Sequence, residues 1–350
     1  MTKHFVFGAG LIGCYLGGVL SACRNVGDNA VLYMRHNMAD RLTHGMTLTD
    51  YQNNRIVLPE LSVRTSLDGR EEAFDCDFLW LTVKCISVAD AISDIKKVIS
   101  PNTVILCCQN GLGSEKLVSA AFPNNVILRV MVPFNVVVES DDHFHRGSEG
   151  HLTIESSKHN EWLSSSLTAD NLNSGEKNAI LPIAFTEDMT SLQWAKLQLN
   201  LGNSVNALAN IPVKSMLEQR KYRLIIAAMM KELLKVTDAI GVQLPKVTSV
   251  PAHWIPVVLS LPNFLFSRVA TKMLAIDPKV RTSMWWDIEQ GRKTEVDFLN
   301  GVVVDYAKQN GIECKVNQSI IKRVKIIETE DPQERRIYTA ETLAAELELS

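Results

Sequence analysis

Little in this chain points toward a membrane, a nucleic acid or an oxidising compartment. No run of about 18 apolar residues occurs anywhere. The N-terminus enters an apolar β-type run at once, without the basic segment and apolar stretch of a secretory signal. Positive charge is not in excess: 36 Lys and Arg against 39 Asp and Glu leave a formal net charge of -3. A broad basic face for nucleic acid or an anionic membrane surface is therefore excluded. The seven cysteines are an odd number, form no C-x-x-C, and mostly lie in apolar runs, where they read as buried thiols in a reducing compartment. His143, His145 and His151 follow no metal-site spacing and no cysteine joins them. These absences predict a cytoplasmic small-molecule enzyme with no metal, nucleic-acid or membrane partner.

What is present is organised around Phe5-Val6-Phe7-Gly8-Ala9-Gly10-Leu11-Ile12-Gly13, an apolar run that empties into G-x-G-x-x-G and then a helical pattern. That order is a dinucleotide-binding turn. Gly8 permits the tight turn, Gly10 removes the Cβ that would block a pyrophosphate, and Gly13 lets helix and strand pack closely. The phosphates would sit at the helix N-terminus, on the N–H groups of Leu11, Ile12 and Gly13. Asn29 to Met34 reads as the second strand of a βαβ unit and ends in Arg35. An NAD-preferring domain usually places Asp or Glu there; a guanidinium instead suits a 2′-phosphate, which predicts NADP(H). Asp40 and Asp50 lie beyond the strand end, and Arg35 could also be a plain surface arginine.

With 350 residues, 46% of them hydrophobic, the chain has material for two domains. Asp77 to Val83 and Thr103 to Cys108 read as buried parallel strands, and Lys84 and Asn110 follow their carboxyl ends. Ligands of open parallel sheets bind outside those ends, so Lys84 and Asn110 point to the same crevice as the glycine turn. Val126 to Val138, His151 to Glu155 and Ala179 to Phe185 are further β-rich stretches, and the polar residues 156 to 178 read as a surface excursion. After residue 187 the texture becomes helical: Ser191 to Leu208, Val213 to Ile240 and Thr282 to Gln309. The expectation is an α/β chain, with an N-terminal Rossmann-type doubly wound domain (1–187), an all-helical substrate and catalytic domain (188–330) and a tail (331–350). Along the first helix Lys196, Asn200 and Asn203 or Ser204 form a polar stripe among leucines, either a solvated face or a pocket wall.

In order along the chain, Gly8-x-Gly10-x-x-Gly13, Arg35, Thr82-Val83-Lys84, Gln109-Asn110-Gly111-Leu112-Gly113, Trp194-Ala195-Lys196-Leu197 with Asn200, Ser283-Met284, and Arg292 to Gly301 resemble the ketopantoate reductases (2-dehydropantoate 2-reductases) over about residues 3 to 328. The resemblance implies NADPH-dependent reduction of ketopantoate to pantoate, in pantothenate biosynthesis. An N-terminal domain would bind the cofactor and a helical domain would close the cleft in which a small 2-oxo acid reacts. It implies Lys196 as the catalytic lysine and general acid, and Glu295 as the functional glutamate. Lys84 and Asn110 would face cofactor and substrate, while Asn200, Ser204 and Ser283 would bind substrate.

Many members carry N-x-x-x-N-P where this chain has Ser204-Val205, so another 2-oxo acid is a possible substrate. An opine-type dehydrogenase on the same plan and a non-catalytic NADP sensor are rival readings. An uninterrupted helix would hold Ser283 and Glu295 roughly 18 Å apart. Either the helix bends near Gly291, or the two residues serve different parts of the assembly. The amphipathic helices are compatible with a homodimer.

Overall fold

The computed structural model describes residues 2–23, 29–67, 75–167, 181–274 and 278–349. The chain divides into two compact units, Met1–Met189 and Thr190–Ser350.

Unit 1 contains strands β1 (His4–Phe7), β2 (Ala30–Tyr33), β3 (Met46–Asp50), β4 (Arg55–Leu58), β5 (Ser62–Arg64), β6 (Phe78–Leu81), β7 (Val104–Cys107), β8 (Val126–Met131), β9 (Val136–Ser140), β10 (His143–Arg146), β11 (Leu152–Glu155) and β12 (Ile183–Thr186). Eight of them form one sheet in the order β12-β11-β8-β7-β6-β1-β2-β5. From β8 to β5 every neighbouring pair is parallel. The chain builds outward from β1 through β2 to β5, then returns and builds the other way through β6, β7 and β8. This is the doubly wound order, with its switch point between β1 and β6. β1, β6 and β7 are buried along their whole length, which is why their sequences, His4 at the start of β1 aside, are continuously apolar rather than alternating.

Two features depart from the expectation. β11 runs antiparallel to β8, so the sheet is not parallel throughout. Arg129 on β8 clamps Glu155 on β11 there, Nε donating to Oε2 at 3.0 Å and Nη2 to Oε1 at 2.5 Å. The second feature is another sheet, β4-β3-β10-β9. It is closed by parallel pairing of β3 with β10, which sets Thr47 beside His143. The helix Leu11–Ala22 packs against strands of both sheets. A Cβ on Gly17 would stand 2.7 Å from Leu32, and one on Gly18 2.8 Å from Leu48, so bare backbone is what fits between them. Asp50 and Arg146, paired in register, are both buried; Arg146 Nη2 donates to Asp50 Oδ2 at 3.3 Å.

Part of the polar excursion is core rather than surface. Asn160–Leu167 is a helix, Leu163 is fully buried, and the Trp162 ring lies 4.5 Å from that of Phe78. Residues 168–178 of that stretch lie outside the described residues.

Unit 2 is helical, and each of the three long helical stretches expected from the sequence is broken. The first divides at Leu201 into Met189–Asn200 and Gly202–Ala209. The second divides at Gln219, whose extended backbone separates Val213–Glu218 from Arg220–Ala239. Arg223 stabilises that break: fully buried, it donates to the carbonyls of Leu217, Leu259 and Leu261 at 2.7, 3.0 and 2.8 Å. These carbonyls stand at helix ends, where no intrahelical donor reaches them. The third stretch stops after Ser283–Glu289, where Gly291 takes φ +61. It resumes in a π-helical turn, Asp297–Gly301, followed by Val302–Gln309. Residues 331–349 pack into this unit: Tyr338 and Leu343 are buried, and Tyr222 Oη donates to the Tyr338 carbonyl at 2.7 Å. No described helix is long and apolar enough to cross a membrane.

Candidate functional site

The unit 1 candidates stand at the carboxyl ends of adjacent strands. Gly8 to Gly13 follow β1, Arg35 follows β2, Lys84 follows β6 and Asn110 follows β7. The turn after β1 is held by its own backbone, with the Gly8 and Ala9 N–H groups donating to the Tyr33 carbonyl at 3.1 and 2.9 Å. Two of its glycines are required by the protein itself. Gly8 has φ +87, and a Cβ there would fall 2.2 Å from Val83 Cγ1. A Cβ on Gly13 would fall 2.5 Å from Thr82 Oγ1. Gly10 differs: its φ is -83, and a Cβ would meet nothing nearer than the Gly8 carbonyl at 3.9 Å. The protein leaves that space open. Beside it the first turn of the helix Leu11–Ala22 carries the N–H groups of Leu11, Ile12 and Gly13, which have no acceptor within the helix. Such a terminus receives an anion, and the open side of Gly10 lets one approach the backbone.

Residues around these positions, to which the sequence assigned no role of their own, hold the strand ends in place. Thr82 Oγ1 donates to the carbonyls of Phe7 and Gly8 at 3.1 and 3.0 Å, tying β6 to the glycine turn. Buried Gln109 donates through Nε2 to the carbonyls of Leu81 and Val83 at 2.7 and 3.1 Å. The Cys85 thiol donates to the Asn110 carbonyl at 2.8 Å. Thr82, Gln109 and Asn110 all lie in the runs that carried the resemblance; the signal for the first two was that they flank a strand end. Arg35 is exposed, and among the described residues no ion pair engages it. Asp50, by contrast, is enclosed with Arg146 and accepts from the Gln52 and Asn54 N–H groups at 2.9 and 3.0 Å, so it offers nothing to a ribose.

The unit 2 candidates come from separate elements. Lys196 and Asn200, half-buried, lie one turn apart on Met189–Asn200. Ser204, on the next helix, is fully buried, and its hydroxyl donates to the Leu201 carbonyl at 2.8 Å. Ser283 is exposed at the start of Ser283–Glu289, after Thr282, whose hydroxyl caps that helix. Asn206 docks this helix start: its Oδ1 accepts from the Thr282 N–H and hydroxyl, both at 3.1 Å. Glu295 is 8% exposed and lies beyond the break at Gly291, next to Val296, the cap residue of the π-helical turn. Ser283 and Glu295 therefore do not share one straight helix, the first of the two arrangements the sequence allowed. π-helical turns of this kind recur at functional sites.

Comparison with known proteins agrees with this layout. Residues 4–159 match the family described as ketopantoate reductase PanE/ApbA, and residues 188–328 match its C-terminal domain. The 2-dehydropantoate 2-reductase of Streptococcus pyogenes serotype M6 is 24% identical over 331 residues, covering 91% of this chain and 96% of its own. Among solved structures, the PanE/ApbA family ketopantoate reductase from Ralstonia eutropha JMP134 is similar with a TM-score of 0.76 and 22% identity, covering 93% of this chain and 98% of its own. A ternary structure of D-mandelate dehydrogenase with NADH and anilino(oxo)acetate shares the fold at a TM-score of 0.72 and 16% identity, again covering 93% and 98%. The chain belongs to the ketopantoate reductase family and is an oxidoreductase of that class.

Proposed function

We propose that this protein reduces a small 2-oxo acid to the 2-hydroxy acid with NADPH, ketopantoate being the leading substrate. The observation that carries the cofactor assignment is the contrast within the glycine turn: packing demands Gly8 and Gly13, while Gly10 opens onto space beside unpaired helix N–H groups. A pyrophosphate fits that cradle. Arg35, exposed at the end of β2, has the planar fork and the position to receive a 2′-phosphate, and no carboxylate stands in its place. Lys84 and Asn110 are assigned to the same bound molecules through their strand-end positions.

A reduced nicotinamide supplies the hydride when bound. Everything else falls to side chains. As hydride reaches the carbonyl carbon, charge grows on the oxygen, and the Lys196 ammonium both stabilises it and donates the proton that completes the alcohol. Asn200, one turn further on, offers an amide that can orient the substrate carboxylate or carbonyl. Glu295 is an acceptor for a substrate hydroxyl or for the ammonium of Lys196. Ser283, exposed at a helix start, remains a candidate donor to the substrate. Ser204 is not used in this reading, because its one proton is already committed to the Leu201 carbonyl. That engagement, at the position where the resemblance led one to expect a second asparagine, supports a second reading in which the substrate is a different 2-oxo acid.

The cofactor assignment is tested by comparing NADPH with NADH in the wild type and in Arg35→Ala. The expected result is a preference for NADPH that the variant loses through a raised KM for NADPH alone. Equal use of both cofactors by the wild type would overturn it.

A further inference from the structure

Glu295 sits on a turn that is held, rung by rung, from a single helix. Glu328, the cap residue after Lys315–Ile327, takes two hydrogen bonds on one carboxylate oxygen: the Thr294 N–H donates to its Oε1 at 2.8 Å and the Thr294 hydroxyl at 2.5 Å. The same hydroxyl oxygen accepts from the Val296 N–H at 3.3 Å, closing a clasp across Glu295. The Glu295 carbonyl accepts from the Phe298 and Leu299 N–H groups at 3.0 and 3.1 Å. In the π-helical turn that follows, Asp297 pairs with Lys325, and Asn300 Nδ2 donates to Asn317 Oδ1 at 2.9 Å. The partners thus run in opposite directions: 294, 297 and 300 on one strand of the ladder meet 328, 325 and 317 on the other. Asn317 is itself fixed by buried Glu232, whose Oε2 accepts from Asn317 Nδ2 at 2.7 Å.

Of these three rungs, the Glu328 rung is the one that touches a residue adjacent to Glu295. Charged acceptors make the shorter and stronger hydrogen bonds, and two donors on one oxygen fix both the backbone and the side chain of Thr294. We propose that Glu328 is a positioning residue: acting through Thr294, it sets the direction in which Glu295 presents its carboxylate to the reaction. This rests on the reading of Glu295 as functional. Displacements on the ångström scale of a reacting group cost on the order of 100-fold in rate, so a clasp of this kind has a kinetic signature.

The test is steady-state kinetics of the full-length protein with NADPH and ketopantoate or the best 2-oxo acid found, beside NADPH binding by fluorescence, for Glu328→Ala, Glu328→Gln, Thr294→Val, Glu295→Gln and the double variant Glu295→Gln with Glu328→Ala. Glu328→Ala should lower kcat/KM for the oxo acid by on the order of 10- to 100-fold while NADPH binding is unchanged. Glu328→Gln, which keeps an oxygen acceptor in place, should recover most of that loss. The double variant should fall no further than Glu295→Gln, because the two residues act through one group. Wild-type kcat/KM in Glu328→Ala, or losses that multiply in the double variant, would overturn the proposal. If Glu328→Ala does not fold, Thr294→Val probes the same clasp from its other side: a smaller loss of the same kind supports the role, and unchanged kcat/KM overturns it. An impaired Glu295→Gln with an unimpaired Glu328→Ala removes only the positioning role. An unimpaired Glu295→Gln removes the reading of Glu295 and the positioning role with it.

Discussion

Gly13 faces Thr82 so closely that a β-carbon at position 13 would lie 2.5 Å from the threonine hydroxyl oxygen. That hydroxyl is fixed by its bonds to the Phe7 and Gly8 carbonyls and cannot turn aside cheaply. Gly13→Ala should therefore cost about 1–3 kcal/mol of stability through overpacking. Gly10→Ala should leave the unfolding free energy within about 0.5 kcal/mol of wild type, since its Cβ meets nothing nearer than the Gly8 carbonyl at 3.9 Å. It should instead weaken NADPH binding by about tenfold, or 1.4 kcal/mol. Urea titration and NADPH fluorescence on the two variants check the pair. A Gly10→Ala protein that loses stability but binds NADPH normally would refute the cradle.

Among the described residues the cation of Arg146 is balanced by Asp50 alone, and its guanidinium lies over the Tyr51 and Phe134 rings at 5.3 and 5.4 Å. Removing one partner of a buried pair leaves an uncompensated charge. Asp50→Ala should accordingly destabilise the protein by about 3–5 kcal/mol. A shift below about 1 kcal/mol in urea unfolding would mean that this pair does not hold the second sheet together.

His4 on β1 is fully buried, and burial alone pushes its pKa down from 6.5 to about 3. Its Nδ1 accepts from Trp80 Nε1 at 3.0 Å, so the neutral ring carries its proton on Nε2. With the folded value depressed, the unfolded chain takes up a proton first as pH falls. The stability contributed by neutral His4 is complete above about pH 6.5 and is lost progressively toward pH 3. Between about pH 7.5 and about pH 5, the wild type should lose about 2 kcal/mol more than His4→Phe does. Parallel pH profiles of the two proteins would contradict this.

How much of this was legible in the sequence depended on the range of the interaction. The glycine turn and the strands at Phe78–Leu81 and Val104–Cys107 were legible because short, continuously apolar runs and local turn chemistry act within a few residues. The second sheet was not. Its decisive pairing joins Thr47 to His143 across about half the length of unit 1, and no local pattern in β3 or β10 names its partner. The helix breaks at Leu201 and Gln219 were also hidden, since both residues sit inside good helical periodicity and the break at Gln219 depends on Arg223, which ties it to the distant carbonyls of Leu259 and Leu261. Gly291 was legible as a possible bend because glycine supplies the left-handed conformation. Lys196 and Asn200 could be seen as a polar stripe, but the clasp from Glu328 to Thr294 spans 34 positions and leaves no periodic trace.

In the proposed reaction Lys196 protonates the oxygen of a 2-oxo acid as NADPH reduces it. Its most direct test is the rate of NADPH oxidation with ketopantoate and a panel of branched 2-oxo acids, for wild type and Lys196→Ala side by side. The expected result is saturable turnover of at least one of these acids, lowered by about 10²–10⁴-fold in Lys196→Ala with NADPH binding retained. Wild-type rates in Lys196→Ala, or NADPH binding without turnover of any acid on the panel, would contradict it.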